Sequence, residues 1–490
     1  MCVALVLGAL LPLAFAPFSI WPLAILLPAL MLTVIQSSLS ARNIFFAGWF
    51  FGIGYFGFGV YWIYNSLHDF GMAPPVVAGG ITGLLVVILG LAPALAFYFW
   101  CHSRRHLGDI SLWLLPLFWF GLEWIKGWIL TGMPWLSLGY SQTNSPLSGY
   151  APLIGVYGIS ALCMFMAVAL FLLLRNKRYP MMAVLIIVPL SGWLLQQVEW
   201  TEVQAKTLKV TMVQGNIPQE VKWRRDQRQN IFNTYWRETS QNWDSDLIIW
   251  PETALPGHSE EIEQSVLRPM QETAIEQGTT IVSGLVVSDK EDNNFYNSVM
   301  LLNHARSVYH KRHLVMFGEY YPLRGLLDFL RSWINIPYSD LTPGPLEQEL
   351  MQVDGSILGM SICFEDVFSR DILLALPDAN LLVNLSNDAW FGNSTAPHQH
   401  MQIAQMRSQE TGRVMMRATN TGISAFIDHK GRVISQSEQF KTQSLTEVIR
   451  GRSGVTPFYY FAKIQGILAI VIFVTIGVFA TRQSHRNSPG

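Results

Sequence analysis

Gly-Met-Ser-Ile-Cys-Phe-Glu-Asp (359–366) is a short apolar run that ends on the thiol of Cys363, with the carboxylate of Glu365 two residues later. Upstream, Trp-Pro-Glu-Thr (250–253) and Tyr-His-Lys-Arg-His-Leu (309–314) also come at the ends of strand-like runs. Short apolar runs bounded by polar or turn-forming residues are typical of buried β-strands. The three stretches therefore predict an α/β domain in which reactive side chains come directly after strands.

Glu252, Lys311 and Cys363 are the reactive residues of these stretches. Ligands of α/β folds collect at the carboxyl ends of strands, so we expect the three side chains to meet there. Each has an ordinary alternative: a surface acid or helix cap, a solvated basic cluster, and a small buried hydrophobe. Together, a carboxylate, an ammonium and a thiol are typical of covalent acyl chemistry. In that chemistry Lys311 would stabilise a developing oxyanion and lower the pKa of the Cys363 thiol.

The composition indicates a membrane protein with one globular part. Of 490 residues, 50% are hydrophobic and only 14% are charged, which is too apolar for an ordinary soluble protein. Residues 1–100 contain two charged side chains, Arg42 and Asp69, whereas residues 201–450 resemble ordinary globular protein. A net charge of −1 gives no electrostatic basis for binding nucleic acid, and none is expected.

The cysteines and histidines predict no disulfide and no metal site. Cys2, Cys101 and Cys163 lie in or beside apolar segments and show no paired spacing, which leaves Cys363 as a single thiol in the globular part. Two pairs of histidines invite a metal interpretation, but no acid or thiol completes a convincing ligand set. These pairs are His310 with His313 and His398 with His400.

Eight apolar segments are predicted to span a membrane: 3–16, 19–36, 44–64, 77–100, 110–130, 152–174, 180–196 and 464–481. A span needs roughly 20 apolar residues, so the first segment is short and could be tilted or re-entrant. A cleavable signal peptide is the alternative for residues 1–16, because 14–16 resembles a cleavage site. However, no Lys or Arg precedes the apolar stretch, and Pro17 follows the site.

Basic residues in alternate loops predict the orientation of these segments. They are Arg42, Arg104, Arg105, Arg175, Lys177 and Arg178, with Arg482 and Arg486 in the tail. The positive-inside rule then places both termini in the cytoplasm. We expect a membrane domain with seven spans at 1–196, an external catalytic domain at 197–463, and a last span with a cytoplasmic tail at 464–490.

The external segment alternates between strand and helix patterns, which favours a layered α/β sandwich. Helices are expected near 225–243, 258–277 and 398–417. Strands are expected at Leu208–Gln214, Asp246–Trp250, Thr280–Val287, Tyr296–Leu302, Ile357–Cys363, Asn380–Ser386 and Ile423–Asp428.

The motifs, taken in order, resemble those of a known enzyme family. The external domain is similar to the carbon–nitrogen hydrolase (nitrilase) superfamily, and the whole chain resembles the apolipoprotein N-acyltransferases. The motifs that carry the resemblance are Gly-Val-Tyr-Trp-Ile (59–63), Pro-Trp-Leu-Ser-Leu-Gly-Tyr-Ser-Gln (134–142), Val-Gln-Gly-Asn-Ile-Pro-Gln (213–219), Trp-Pro-Glu-Thr-Ala-Leu-Pro (250–256), Lys-Arg-His-Leu-Val-Met-Phe-Gly-Glu-Tyr-Tyr-Pro (311–322), Asn-Asp-Ala-Trp-Phe-Gly (387–392) and Arg-Ala-Thr-Asn-Thr-Gly-Ile-Ser-Ala (417–425).

The resemblance implies a four-layer αββα fold and a catalytic set made of Glu, Lys and Cys. Glu252 matches the family's general base, Lys311 its catalytic lysine and Cys363 its acyl-accepting nucleophile. Glu319 matches an acid that supports the transition state, and Glu365 matches a further required acid.

The resemblance also implies residues that contact lipid, and two positions depart from the family pattern. Trp223 matches an aromatic residue at the family's lipid-binding cleft. Aromatic residues around 317–333 and Phe391 could guide acyl chains; a packed loop is the alternative. Phe364 departs from the family pattern, since several relatives have Tyr there, and Met316 stands where Pro is common.

The implied reaction moves a fatty acyl chain from a phospholipid to the N-terminal α-amine of a diacylglyceryl-cysteine apolipoprotein, through a cysteine thioester. This would be the last step of bacterial lipoprotein maturation. The implied location is the inner membrane, with a periplasmic catalytic domain. No cofactor is expected, because converting an ester and an amine to an amide and an alcohol runs downhill. The protein is expected to be a monomer, since nothing in the sequence requires a larger assembly.

Two other functions account for part of the sequence. A membrane-tethered amidase would hydrolyse small amides or nitriles with the same three residues, although eight spans exceed what an anchor needs. A transporter or lipid-binding receptor with a degenerate external domain would need charges along a pathway through the membrane. Only Glu123 and Lys126 lie within a predicted span, where they predict either a structural ion pair or a lipid-headgroup contact.

Overall fold

The computed structural model describes residues 1–36, 40–289, 294–320 and 340–486, which form two compact units. The first unit comprises Met1–Tyr61, Gly79–Val198 and the chain from Thr456 onward. The second comprises Trp62–Ala78 and Glu199–Val455.

Helices α1 to α16 are, in chain order, Cys2–Leu10, Leu23–Ile35, Ala41–Gly59, Trp62–Asn65, Pro75–Leu89, Leu91–Leu107, Leu115–Lys126, Ala151–Asn176, Pro180–Leu195, Gln219–Lys222, Arg228–Ser240, Ser259–Ile262, Arg268–Gln277, Ser369–Leu373, Ala396–Thr411 and Pro457–Arg486. Strands β1 to β13 are Glu202–Gln214, Leu247–Ile249, Leu255–His258, Thr280–Asp289, Asn294–Leu302, Ser307–His310, Met351–Val353, Ser356–Ile362, Leu381–Ser386, Val414–Thr419, Ala425–Ile427, Val433–Gln436 and Gln443–Ser453.

Apolar helices dominate the first unit, but few are long enough to span a bilayer by themselves. Two helical stretches, Pro75–Arg105 and Pro146–Asn176, have the length and hydropathy of a membrane span. A third span results if Ala41–Gly59 and Trp62–Phe70, bent by 51° at their break, count as one. Four further apolar helices are shorter: Cys2–Ala14, Leu23–Ile35, Pro180–Leu195 and Pro457–Ile472. The described residues thus give two or three spans by length and composition, fewer than the eight predicted.

Glycines allow two of these helices to pack at close range. A Cβ on Gly8 of α1 would lie 1.9 Å from the carbonyl oxygen of Phe51 in α3. A Cβ on Gly54 of α3 would lie 2.2 Å from the carbonyl oxygen of Leu5. Small residues at such contacts bring helix backbones together, as in other membrane helix pairs.

The two charges on α7, Glu123 and Lys126, each form hydrogen bonds with other groups. Glu123 Oε1 accepts hydrogen bonds from Trp119 Nε1 (2.9 Å) and the Leu138 N–H (2.8 Å). Lys126 Nζ donates to the Trp135 carbonyl oxygen at 3.0 Å and lies 5.1 Å from the centre of the Phe56 ring. Each charge is therefore held by neighbouring helices and turns of its own unit.

Two β-sheets packed face to face form the second unit. The first sheet has the strand order β13-β1-β2-β4-β5-β6, with β3 also paired to β4; the second has the order β12-β11-β10-β9-β8-β7. Alternate residues of both sheets, such as Val210, Ile249, Leu358 and Val383, form one apolar core between them. This packing follows from the two-residue repeat of side chains along a strand.

Helices cover the outer face of each sheet. On the first sheet, Tyr235 of α11 and Met270 of α13 pack against outward residues such as Ile248. On the second, Met401 of α15 packs against Leu382 and Met415. The layers are therefore helix, sheet, sheet and helix, which confirms the four-layer αββα expectation.

The helix predicted at 398–417 was wrong at its C-terminal end. Helix α15 ends at Thr411, because Gly412 adopts a left-handed conformation with φ of +64°. Residues 414–419 form β10, a fully buried strand at the centre of the second sheet. Arg413 and Arg417 made this strand look like a polar helix face, whereas both guanidinium groups are buried.

Candidate active site

Glu252 lies in the turn that follows β2, and it is buried, with 7% of the residue exposed. Its Oε1 accepts a hydrogen bond from Asn297 Nδ2 at 2.7 Å and lies 3.6 Å from Lys311 Nζ. The backbone of this turn crosses β4 at Gly284, where a Cβ would lie 2.7 Å from the Glu252 Cα. Only glycine leaves room for this crossing, so Gly284 sets the position of the carboxylate.

Lys311 is the first residue after β6, and its side chain is buried between two carboxylates. Lys311 Nζ lies 2.9 Å from Glu319 and 3.6 Å from Glu252. Burial alone would lower the pKa of Lys311, but these two carboxylates outweigh it and raise the pKa, so the ammonium stays charged. Glu319 is itself held by the Val315 N–H (2.8 Å) and by Asn297 Nδ2 (2.8 Å).

Cys363 comes directly after β8 and opens a short 3₁₀ turn in a left-handed conformation, with φ of +51°. Such a conformation is uncommon for a residue other than glycine, and it typically marks a functional site. The Cys363 carbonyl oxygen accepts a hydrogen bond from Asn384 Nδ2 at 3.2 Å, which holds the turn. The residue remains partly exposed, so a substrate can reach it.

The resting form of Cys363 is the neutral thiol. Burial and the charge of Glu252 raise its pKa, whereas Lys311 and a hydrogen bond with Ser386 lower it. The expected direction of the Lys311 effect is confirmed, but burial and Glu252 outweigh it and the net change is upward. The thiolate must therefore form together with proton transfer to a base.

Glu365 joins the ends of strands from the two sheets. Its Oε1 accepts from the N–H groups of Arg312 (2.6 Å) and His313 (3.1 Å), which follow β6. Its Oε2 accepts from the Ile362 N–H (2.6 Å) and the Tyr309 hydroxyl (2.9 Å). Burial raises the pKa of Glu365 to about 7. All four partners can donate only when the carboxylate is ionised, so the ionised form fixes Lys311 relative to Cys363.

A second buried layer of charge supports the nucleophile turn. His400 contacts Asp366 (2.8 Å) through Nε2 and Asp388 (3.0 Å) through Nδ1. Arg417 donates to Asp366 (3.1 Å) and to Asp388 (2.9 Å), and also to Asn384 Oδ1 (2.7 Å). Through Asn384 this layer reaches the Cys363 carbonyl oxygen.

The protonation states of this layer follow from its geometry. Burial and Arg417 act to lower the pKa of His400, but Asp366 and Asp388 outweigh them and the pKa is raised. Burial would raise the pKa of Asp388, but Arg417 and His400 hold it well below its usual range. His400 and Arg417 are thus each paired with both carboxyl groups, Asp366 and Asp388, in the buried layer.

The two aromatic candidates lie on segments next to this site. Trp223, half-buried, follows the short helix α10, whose last residue contacts the Glu252 carbonyl oxygen. Phe391, also half-buried, lies 4.8 Å from the Trp62 ring between centroids. The hydroxyl of Ser66 donates to the Trp390 carbonyl oxygen at 2.8 Å, so the part of the second unit that follows α3 contacts the segment that carries Phe391.

Residues 321–333 of the aromatic segment predicted at 317–333 lie outside the described residues. Phe317 is described; its N–H donates to the Tyr320 carbonyl oxygen at 2.8 Å within a tight turn.

Sequence reasoning missed Asn297 and Lys222. Asn297 points from β5 toward both Glu252 and Glu319, and Lys222 lies on α10. Asn297 interrupts the apolar alternation of Tyr296–Leu302, and a buried polar residue in a central strand is a signal that could have found it. Lys222 gave no comparable signal, because a lysine in a polar segment is ordinary.

Comparisons with known proteins agree with this architecture. Residues 7–169 match the apolipoprotein N-acyltransferase N-terminal domain, and residues 209–456 match the carbon–nitrogen hydrolase family. The chain is 39% identical to the apolipoprotein N-acyltransferase of Methylococcus capsulatus over 88% of its own length and 86% of the relative's. The chain belongs to the apolipoprotein N-acyltransferase family.

Other members of this family show the same extent of similarity. The apolipoprotein N-acyltransferase of Nitrosomonas europaea is 39% identical over 88% of this chain and 87% of its own. The Coxiella burnetii member is 37% identical over 84% and 87%. Among solved structures, a nitrilase-superfamily protein of Saccharomyces cerevisiae covers 54% of this chain and 94% of its own, with a TM-score of 0.37 and 17% identity.

Proposed function

We propose that this chain transfers a fatty acyl group from a phospholipid to the α-amine of a diacylglyceryl-cysteine apolipoprotein, through a thioester on Cys363. The observation that carries the proposal is the convergence of Glu252, Lys311 and Glu319 in one buried network at strand ends, with Cys363 within its electrostatic reach. The membership of the chain in the apolipoprotein N-acyltransferase family supports the choice of substrates.

In the first step, Glu252 accepts the proton of the Cys363 thiol while the sulfur attacks the ester carbonyl carbon of the phospholipid. A C–S bond forms, and negative charge develops on the carbonyl oxygen, where the Lys311 ammonium stabilises it. The C–O ester bond then breaks, and the lysophospholipid alkoxide takes the proton from Glu252. A thioester remains on the enzyme.

In the second step, the neutral α-amine of the apolipoprotein attacks the thioester carbon. An unperturbed α-amine has a pKa of about 7.7–8.0, so a useful fraction is neutral near pH 7. A C–N bond forms and the C–S bond breaks, while Glu252 passes the amine proton to the departing sulfur. The products are an amide and the free thiol, and no cofactor enters the balance.

Glu319 and Glu365 have positioning roles in this proposal. Glu319 holds the Lys311 ammonium and shares Asn297 with Glu252, so it fixes the separation of base and cation. Glu365 ties the turn after β6 to the end of β8. Without these two carboxylates, the distances between Glu252, Lys311 and Cys363 would no longer be fixed. The reaction would slow, because its rate depends on close alignment of the reacting groups.

Trp223 and Phe391 are the residues that we assign to contact with lipid. Both are half-buried aromatic side chains on segments that adjoin the candidate site, and aromatic side chains suit an apolar surface with a wet edge. The T-shaped packing of Phe391 on Trp62 holds the Phe391 ring within the second unit.

We also propose the membrane arrangement that the loop charges predict. Eight segments cross the inner membrane, both termini are cytoplasmic, and 197–463 lies in the periplasm between a membrane part at 1–196 and a last span at 464–490. The short apolar helices, such as Leu23–Ile35 and Pro180–Leu195, then cross with flanking turns and polar ends that complete the thickness. The protein works as a monomer and has no nucleic-acid partner.

Intact-mass spectrometry tests the first step. The purified full-length protein is incubated with phospholipid beside the Cys363→Ala variant. We expect a fatty-acyl mass on the wild type alone, released by hydroxylamine as a thioester should be. An adduct of equal yield on Cys363→Ala would overturn the assignment of the nucleophile. Turnover of a small amide without any lipid adduct would instead favour the membrane-tethered amidase.

A further inference from the structure

The candidate site contains a second buried lysine, Lys222, which terminates α10 and is 2% exposed. Its Nζ donates to the carbonyl oxygen of Glu252 at 3.1 Å. An ammonium group has three N–H donors, and within the described part of the chain no second acceptor lies within hydrogen-bond distance of this one. Two donors of a buried cation are therefore available beside the general base.

The position of Lys222 is fixed by the loops around Cys363. Gln219, at the start of α10, accepts a hydrogen bond from Asn387 Nδ2 at 2.9 Å. Ile217, two residues before Gln219, is held by the Asn420 side chain. Asn420 Oδ1 accepts from the Ile217 N–H (2.9 Å), and Asn420 Nδ2 donates to the Ile217 carbonyl oxygen (2.8 Å). Lys222 is thus held in the site and is not a surface lysine that happens to fold inward.

Lys222 and Lys311 differ in their neighbours. Lys311 lies between the carboxylates of Glu319 and Glu252, whereas the hydrogen-bond partner of Lys222 among the described residues is a neutral carbonyl oxygen. Burial lowers the pKa of Lys222 to about 8, and the charges of Glu252 and Cys363 oppose this change. The opposing effects show that its charge is felt at both the base and the nucleophile.

A charge count indicates what Lys222 does. Glu252, Glu319 and Lys311 alone carry a net charge of about −1, which opposes any further negative charge on Cys363. The ammonium of Lys222 makes the resting set neutral. We propose that Lys222 is a second cation of the site, which stabilises the negative charge that forms on Cys363 and then on the tetrahedral intermediate. Stabilisation of the tetrahedral intermediate rests on the proposed acyl transfer, whereas stabilisation of the negative charge on Cys363 does not.

A purely structural role is the alternative, because Lys222 also supports the Glu252 carbonyl beside Thr253, whose φ is +46°. Three variants separate the two roles. Lys222→Gln keeps an N–H donor without charge, Lys222→Arg keeps the charge, and Lys222→Met removes both. If charge matters, Gln and Met behave alike; if the hydrogen bond matters, Gln resembles the wild type.

Alkylation of Cys363 by iodoacetamide, without lipid, tests the charge effect directly. The full-length protein in detergent is sampled between pH 6.5 and 10, and peptide mass spectrometry measures labelling of Cys363 itself. Below the thiol pKa the rate is proportional to the thiolate fraction. The charged groups that act on this thiol include Glu252, Lys311, Asp388 and Arg417, together with Lys222, and only the last is changed.

We expect Lys222→Met and Lys222→Gln to label about tenfold more slowly than the wild type near pH 7, since a buried charge within a few ångströms shifts a pKa by about one unit or more. The difference should shrink above pH 8, where wild-type Lys222 loses its own proton. Lys222→Arg should label nearly as fast as the wild type, and its advantage should persist at pH 9.5, because a guanidinium stays charged.

Two results would overturn the inference: labelling of Lys222→Met at the wild-type rate, or labelling of Lys222→Gln at the wild-type rate while Lys222→Met is slow. The second would assign a positioning role through the hydrogen bond alone. Acyl transfer from phospholipid is measured in parallel and should lose kcat with little change in KM. Slow alkylation without any acyl adduct on the wild type would retain the charge effect and reject the proposed function.

Discussion

Replacing Lys222 by Met should make the protein more stable at pH 7 while slowing its chemistry. The ammonium is 2% exposed, and burial lowers its pKa from 10.5 to about 8. Since the unfolded chain binds this proton more tightly than the folded one, the folded state is penalised below pH 8. The penalty disappears as the pH rises from about 8 to 10.5, where both states lose the proton.

The magnitude follows from the two pKa values. Their difference corresponds to about 3 kcal/mol below pH 8. Removing the ammonium also removes its hydrogen bond to the Glu252 carbonyl oxygen, which costs about 1 kcal/mol. We therefore expect Lys222→Met to raise the free energy of unfolding by about 2 kcal/mol at pH 7, which is about 4–8 °C in Tm.

Thermal unfolding of full-length protein in detergent, followed by tryptophan fluorescence at pH 7 and pH 10, measures this effect. Lys206→Met is the matched control, because Lys206 is an exposed lysine of β1 whose partner Asp354 is also exposed. The control should leave Tm nearly unchanged. A lower Tm for Lys222→Met at pH 7, or a gain of equal size at both pH values, would refute the reasoning.

Three further substitutions probe other parts of the structure. Glu365→Gln places an amide N–H₂ against backbone N–H donors and should lower the free energy of unfolding by about 2–5 kcal/mol and remove most of kcat. Thermal melts and acyl-adduct yields measure these two effects. A wild-type kcat would contradict the positioning role. Arg417→Met leaves Asp366 and Asp388 without one of the two basic partners that the described residues give them and should lower stability by about 3–5 kcal/mol in the same melts; an unchanged Tm would contradict it. Lys126→Met should lower Tm with an unchanged KM for phospholipid, whereas a raised KM with unchanged Tm would favour a headgroup contact.

The sequence allowed the strand ends to be located because their signals are local. Runs such as Leu247–Ile249 and Ser356–Ile362 are mostly apolar and almost entirely buried, as is typical of the inner strands of a sandwich, and a reactive residue follows each. Each predicted strand has a counterpart in the structure, and the αββα layering follows from covering both outer faces with helices.

The parts that were not predicted depend on tertiary contacts. Strand β10 was mistaken for helix because Arg413 and Arg417 are polar, and nothing local shows that a buried layer of carboxylates and carbonyl groups receives them. Asn297 and Lys222 act on residues 45 and 30 positions away in the chain. The net rise in the pKa of Cys363 also depends on tertiary contacts, since burial and Glu252 outweigh Lys311.

The hydrogen-bond partners of the two charges on α7 were not predicted either. Glu123 and Lys126 are three residues apart, a spacing at which side chains of one helix can meet. In the structure Glu123 accepts from Trp119 on the same helix and from the Leu138 N–H, and Lys126 donates to the Trp135 carbonyl oxygen. The two backbone partners follow α7 in the chain, and helical spacing does not reveal them.

Transfer of the acyl group from Cys363 to an amine is the central claim, and a single-turnover experiment tests it most directly. The acyl-enzyme is formed with phospholipid, freed of excess lipid, and mixed with a diacylglyceryl-cysteine peptide whose α-amine is free; the same peptide with an acetylated amine is the control. We predict that the Cys363 adduct disappears as an equal amount of N-acyl peptide forms, with no loss of adduct to the acetylated peptide. An adduct that persists, or that is lost only as free fatty acid, would contradict the account.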